Sequence, residues 1–258
     1  MAVLVVYLRF DAQGNEACSK ALQEIDSGVM LGDCTGPAEQ GRKSYVLFLP
    51  NDEVLKVQRP GQKENWMARE ISNMQRFDAL GIKSADYPKL QVAAEDNSWL
   101  LMSRMGNSLV EQWTASGHAP SDREAQVLGK QVGGFVAEMY QKSGGSIHKD
   151  LHFQNMTGQP GGRIGVIDFD DYGPGDPHEA FIKLMSQKPN IVPAATAAFT
   201  EGTGIKIDPQ KVADLCIATL KKNGAPETAF ETVRENLSEW KKDGSQPALR
   251  GKAPSVKP

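Results

Sequence analysis

The chain changes character part-way along, and that change limits the folds open to it. Before about residue 103 the apolar residues come in short runs, "GVMLGDC", "SYVLFLP" and "EVLKVQ", separated by Gly, Pro, Asn and Asp. Runs of this kind suit an antiparallel meander, with "PND" as a tight connection between the last two. One helix interrupts them. In "KENWMAREISNMQRFDAL" Met67, Ile71 and Met74 fall at i, i+4 and i+7, and Gly81 closes the helix as a C′ glycine. "SWLLMSRM" reads as a further strand. After about residue 106 the pattern turns helical. Ser121-x-x-Glu124 is a capping box in front of a long helix with Leu128, Val132, Phe135, Val136 and Met139 as its core stripe. Gly133 and Gly134 lower its helix propensity, so close packing against a neighbour is expected to hold it. A turn "QPGGR", a strand "IGVIDF" and helices opening at Asp208-Pro209 and Ala225-Pro226 complete the pass.

The expected class is α+β with two lobes. Residues 1–27 form an N-terminal extension, 28–105 an antiparallel-sheet lobe with one helix, and 106–242 a helical lobe. Residues 243–258 are a polar, Pro/Gly-rich tail expected to be disordered. "MAVLVVYLRF" reads as a buried strand that could join the first lobe or serve a partner interface. It is too short for a bilayer span and lacks the flanks of a signal peptide. A net charge of −3 over 258 residues gives no reason to expect a nucleic-acid or membrane-surface partner. Three scattered cysteines, Cys18, Cys34 and Cys216, fit a reducing compartment better than a disulfide framework. A cytoplasmic location is expected, or export into a host cell if the protein is an effector.

The chemistry concentrates in "SIHKDLHFQNM", residues 146–156. Two histidines four apart in a loop, His148 and His152, lack a third ligand for zinc, and His148 reads as a structural residue. Asp150 and Asn155, however, align with three residues elsewhere. Lys56 sits in the strand pattern "EVLKV", Glu70 on the apolar stripe of the following helix, and Asp168 at the end of "GVID". Phosphoryl transfer from ATP asks for positive charge on the phosphates, a carboxylate for Mg²⁺, a second metal ligand and a base for the acceptor hydroxyl. Lys, Asp, Asn and Asp are the residue types for those tasks, with Glu70 orienting the lysine; Glu64 is the alternative partner. Asp170 and Asp171 could assist the metal or serve the turn, and Asp176 reads as a cap. Trp66, Trp99, Trp113 and Trp240 read as core or lobe-contact residues.

H-x-D-x-x-x-x-N followed by "VIDFDD" resembles the protein-kinase-like superfamily. His152, where protein kinases usually have lysine, and "IDFDDYGPGDPHEAF" resemble in particular its aminoglycoside-phosphotransferase and choline-kinase branch. The resemblance covers roughly residues 28–200. It implies a two-lobed kinase fold with Mg-ATP in the cleft, Asp150 as the catalytic base, and Asn155 and Asp168 as metal ligands. Lys56 would pair the phosphates and Glu70 the lysine, and backbone near Ser103–Met105 would meet adenine. Gly32 and Gly36 would cover the phosphates, although "LGDCTGPAEQG" holds no G-x-G-x-x-G.

Three functions stay open. Between Gly106 and His148 there is room for little more than "SLVEQW" and one long helix, and Asp168 follows Asp150 by 18 positions. That compact spacing resembles minimal serine/threonine kinases of bacterial effector type and favours a protein acceptor. The motif wording fits a small-molecule kinase acting on an aminoglycoside, sugar or amino alcohol. Glu227, Glu231, Glu235 and Glu239 line one helix face and would suit a cationic acceptor, or they form a solvated stripe. The degenerate glycine loop fits a pseudokinase scaffold, against which the intact polar set argues.

Overall fold

The protein is described from a computed structural model, which places residues 10–25, 31, 34, 39–40, 43–62, 65–118, 120–187 and 189–242. The strand expected at residues 1–9, most of "GVMLGDC" with Gly32 and Gly36, the alternative partner Glu64, and the tail 243–258 lie outside the described residues. The chain divides into two compact units, Met1–Asn107 with Thr157–Tyr172, and Ser108–Met156 with Gly173–Pro258. This differs from the expected lobes at one segment, because Thr157–Tyr172 groups with the first unit.

The first unit is built on a five-stranded sheet: β1 (Glu39–Gln40), β2 (Ser44–Leu49), β3 (Glu53–Gln58), β4 (Leu90–Ala93) and β5 (Trp99–Ser103). The order is β1-β2-β3-β5-β4 and every neighbouring pair is antiparallel. Strict alternation buries Tyr45, Leu47 and Leu49 on one face of β2, as the two-residue period of a strand requires. The turn expected at "PND" joins β2 to β3, with Asp52 at φ 55°. Helix α1 (Ala12–Glu24) lays Cys18, Ala21 and Leu22 on that buried face, against Tyr45, Leu47, Leu55, Val57 and Trp99. Asp11 caps it by accepting from the Gly14 N–H at 2.7 Å, and also accepts from the Tyr45 hydroxyl at 3.0 Å. A side chain at Gly14 would meet the Tyr45 ring at 2.6 Å, so the glycine sets how closely α1 approaches β2. Residues 10–25 of the segment read in the sequence as an N-terminal extension are therefore part of this core.

Helix α2 (Trp66–Ala79) is capped by Asn65, which accepts from the Ala68 N–H at 2.9 Å, and Gly81 follows it at φ 57°. Thr157–Tyr172 joins the unit through β8 (Ile164–Val166), which pairs with β7 (Met156–Gly158) across the "QPGGR" turn. The Val166 N–H donates to the Asp86 carbonyl at 2.9 Å, and the Asp86 N–H returns a bond to Ile164 at 2.9 Å.

The second unit is helical: α3 (Leu109–Ser116), α4 (Asp122–Ser143), α5 (Ile182–Gln187), α6 (Val192–Thr203), α7 (Pro209–Lys222) and α8 (Glu227–Lys242), with a short strand β6 (Ser146–His148) after α4. The expected capping box at Ser121 and Glu124 forms, and an equivalent box at Ser108 and Glu111 opens α3. The glycines of α4 act differently from the expected adjacent pair. A Cβ at Gly133 would lie 2.0 Å from the Ala195 carbonyl oxygen, and one at Gly129 2.6 Å from that of Ile191, whereas nothing lies within 4 Å of Gly134. Gly129 and Gly133, one turn apart, admit the backbone of α6; Gly134 does not. Gly133→Ala should therefore lower stability by about 1–3 kcal/mol through overpacking, and Gly134→Ala should raise it by up to about 1 kcal/mol through helix propensity. The two denaturation midpoints, compared with that of the parent, check this pair.

Candidate active site

In the first unit, β3 alternation puts Lys56 on the face opposite Leu55 and Val57, and the α2 stripe brings Glu70 to meet it. Lys56 Nζ lies 2.6 Å from Glu70 Oε1 and 3.1 Å from Asp168 Oδ1. Lys56 and Glu70 are nearly buried, while Asp168 keeps 36% of its side chain exposed. Burial opposes the charge on Lys56, but Asp168 and Glu70 outweigh it and push the ammonium pKa up. The lysine is held firmly cationic. Asp168 follows β8, two residues past Val166, with φ 66° and ψ 72°, a left-handed conformation that costs a non-glycine residue of order 1–3 kcal/mol. Its surroundings hold it there. Phe169 is wholly buried, with its ring centroid 4.4 Å from that of Phe77, and buried Asn73 donates to the carbonyls of Phe169 at 2.8 Å and Asp170 at 3.3 Å. Ser103 is engaged with Lys89 through both its N–H and its hydroxyl, and Met105 accepts from Gln159 Nε2 at 2.5 Å.

In the second unit, Asp150 and Asn155 come together in the loop after β6. Asn155 is buried, and its Nδ2 donates to the Asp150 carbonyl at 3.0 Å and to Asp150 Oδ2 at 3.3 Å. Its Oδ1 is thus the atom left to act as an acceptor or metal ligand. Asp150 also meets His152 Nε2 at 3.3 Å and Lys183 Nζ at 3.1 Å. The hydrogen bond from His152, opposed by burial and helped by Lys183, holds the Asp150 carboxyl well below the usual carboxylate range. The carboxylate is therefore ionised at neutral pH.

The structure thus brings Lys56, Glu70 and Asp168 together in one unit, and Asp150 and Asn155 in the other. Two family models match parts of the chain: the phosphotransferase enzyme family over residues 141–215, and the lipopolysaccharide kinase (Kdo/WaaP) family over residues 55–177. Both describe phosphoryl transfer, and the second spans Lys56, Glu70, Asp150, Asn155 and Asp168.

The chain is a protein-kinase-like phosphotransferase.

No curated protein matches it. Among solved structures, the phosphotransferase fold is similar to the GDP complex of wild-type aminoglycoside 2'-phosphotransferase-IIIa, with a TM-score of 0.61 at 13% identity, over 91% of this chain and 100% of that one. A GDP and kanamycin complex of an APH(2") enzyme gives 0.56 at 14%, over 88% and 99%. A streptomycin-ATP ternary complex of another gives 0.54 at 14%, over 90% and 97%. At such identities the likeness is one of fold.

Several residues of this phosphotransferase escaped the sequence reading. Lys43 pairs with buried Asp170 and lies 3.8 Å over the Trp66 ring, and Arg69 reaches Asp171 at 3.3 Å. The three aspartates of the 168–171 turn thus each meet a cation from β3, α2 or the segment leading into β2. Asn73 gave no signal because an asparagine on a helix face is commonplace. Lys183 lies 33 positions beyond Asp150, and no local pattern links them. The acidic face of α8 is exposed at Glu227, Glu231, Glu235 and Glu239, with Arg234 reaching Glu227 at 3.3 Å.

Asp176, read as a cap, accepts from the His178 N–H at 3.1 Å, contacts His178 Nδ1 at 2.5 Å and pairs with Lys211 at 2.5 Å. His178 Nε2 in turn accepts from the Asp208 N–H that opens α7. Burial would raise the Asp176 pKa, but Lys211 and His178 outweigh it and bring it down to about 2 from 3.8. Because the folded value lies below the unfolded one, the ionised carboxylate stabilises the fold above about pH 4, and that contribution disappears as pH falls through 2. Asp176→Asn should lower the melting temperature at neutral pH. The gap to the parent should close between pH 4 and 2 in a thermal melting series.

Proposed function

We propose that the protein transfers the γ-phosphoryl group of Mg-ATP to a hydroxyl of a small molecule, of the sugar or aminoglycoside kind. The observation that carries the chemistry is the ion cluster of Lys56, Glu70 and Asp168 in the first unit, with ionised Asp150 held by Asn155 in the second. Lys56, fixed by Glu70, pairs with the nucleotide phosphates. Asp150 orients the acceptor hydroxyl and takes its proton, a contribution worth about 10²–10⁴ in rate. Asp168 and Asn155 are the ligands for Mg²⁺.

The donor set fits that ion. Among the described residues no group of three or more His, Cys, Asp or Glu could hold a metal by itself. Mg²⁺ asks for less, since it takes one or two protein oxygens and fills its shell with water and substrate phosphate. When bound, it would neutralise charge on the transferring group.

The small-molecule reading draws on the comparisons. Matching families act as phosphotransferases and lipopolysaccharide kinases, and structural neighbours hold kanamycin or streptomycin beside GDP or ATP. All of these acceptors carry sugar hydroxyls. One observation favours a protein acceptor instead: among the described residues between 107 and 146 the helices are α3 and α4, with no helical insertion to shape a small-molecule site. The degenerate glycine loop of the sequence fits a pseudokinase, and the cation–carboxylate cluster around Asp168 argues against that reading.

Transfer of labelled γ-phosphate should separate the two acceptors. The protein and Mg-ATP are offered kanamycin, streptomycin, other sugar alcohols and a cell lysate in parallel. Label in a small molecule is expected, and Asp168→Ala should remove it while leaving the circular dichroism and melting curve close to those of the parent. Label confined to protein bands would replace the small-molecule reading with the protein-kinase one. Substantial transfer by a folded Asp168→Ala would sink the metal-ligand role.

A further inference from the structure

We infer that Lys183 is a catalytic residue of this phosphotransferase, donating to an oxygen of the phosphoryl group as it passes to the acceptor held by Asp150. The inference rests on the kinase reading above and extends it to a residue outside the motif series. Lys183 Nζ lies 3.1 Å from Asp150 Oδ1, and its side chain is 40% exposed. A lysine ammonium has three N–H donors, and Asp150 occupies one. Its neighbours on α5, Leu184 and Met185, are wholly buried. Gln187 Oε1 accepts from the Phe153 N–H at 3.3 Å, and Asn236 Nδ2 donates to the Met185 carbonyl at 3.2 Å. The short helix is thus anchored to the catalytic loop at one end and to α8 beside it. Its lysine is carried on a fixed base with a half-exposed head.

The arrangement has a chemical purpose that stability does not explain, because an ion pair this exposed adds little to the fold. In the transfer the acceptor O–H proton goes to Asp150. The acceptor oxygen forms a bond to the γ-phosphorus, and the bond to the bridging oxygen breaks, that electron pair leaving with ADP. A hydroxyl within hydrogen-bond reach of Asp150 brings the phosphorus to within a bond length or two of that hydroxyl. Any cation already touching the carboxylate is then within reach of a phosphoryl oxygen. Position 152, where the protein kinases usually carry a lysine, holds histidine here. His152 Nε2 turns to Asp150, so in this loop the flexible cation comes from α5. Lys183 would then do two things at once: keep Asp150 ionised and oriented before transfer, and meet the charge that gathers on the equatorial oxygens during it.

The test measures steady-state Mg-ATP turnover for the parent, Lys183→Met, Lys183→Arg and Asp168→Ala. Water is the acceptor always present, and any panel member that accepts label above is added. Lys183→Met should reduce kcat by about 10²-fold, the scale for removing one preorganised donor, with KM for Mg-ATP nearly unchanged. Lys183→Arg should recover a large part of the loss. Melting curves show whether each variant is folded, and Lys183→Gln replaces the methionine variant if that one is not. Parental kcat in folded Lys183→Met overturns the inference, as does a change confined to KM, or an arginine variant no better than methionine. Parental turnover no faster than that of Asp168→Ala, with water and with every acceptor, overturns the kinase reading itself and this inference with it.

Discussion

One ammonium group meeting two carboxylates organises the first unit. Lys56 leaves β3 into a nearly dry environment, which would be prohibitive for a lone charge, and Glu70 and Asp168 make it tolerable. Such buried pairs are poor sources of net stability, since the attraction roughly repays the loss of hydration. Their value here is positional. Lys56 binds together a strand, the helix α2 that follows it and the turn after β8, which comes 112 residues later in the sequence. Lys43 with Asp170 and Arg69 with Asp171 repeat the same connection on either side. Asn73 completes it from α2 through backbone carbonyls alone. The strained backbone at Asp168 persists because these contacts leave the turn no relaxed alternative.

The second unit solves the complementary problem with helices. Asp150 sits in a short loop where it is held by hydrogen bonds from Asn155 and His152 and by Lys183 of α5. The two units present their reactive groups in the same way. Each places one carboxylate at the end of a short strand or loop and surrounds it with donors, which suits a reaction in which positioning and charge stabilisation dominate.

The parts legible in the sequence were those encoded locally. The two-residue period announced β2 and β3 and put Lys56 on the opposite face from the sheet core. The helical stripe selected Glu70 on α2, and Ser121 with Glu124 announced the start of α4. What failed to show was encoded by distant neighbours. The helix α1 was hidden because Gly14 and Asn15 weaken its first turn, and its fit to Tyr45 is a tertiary fact. Gly133 and Gly134 look alike on paper; only the backbone of α6 distinguishes them, and it selects Gly129 as the true partner of Gly133. Lys183 and Asn73 belong to common residue types in unremarkable contexts, and their meaning appears only when the loop they serve is folded beside them.

The discontinuity of the first unit has a consequence for how the protein is made. Its segments Met1–Asn107 and Thr157–Tyr172 are separated by Ser108–Met156, which belongs to the other unit. A nascent chain that has emerged as far as Asn107 holds Lys56 and Glu70 but has not yet synthesised Asp168. Units usually fold in the order of synthesis, but this one must wait for a stretch of the other to be translated before its ion cluster can close. The five-stranded sheet can form early. The functional turn joins it later, and synthesis of the two units is thereby interleaved in time, with the ion cluster closing the first unit last.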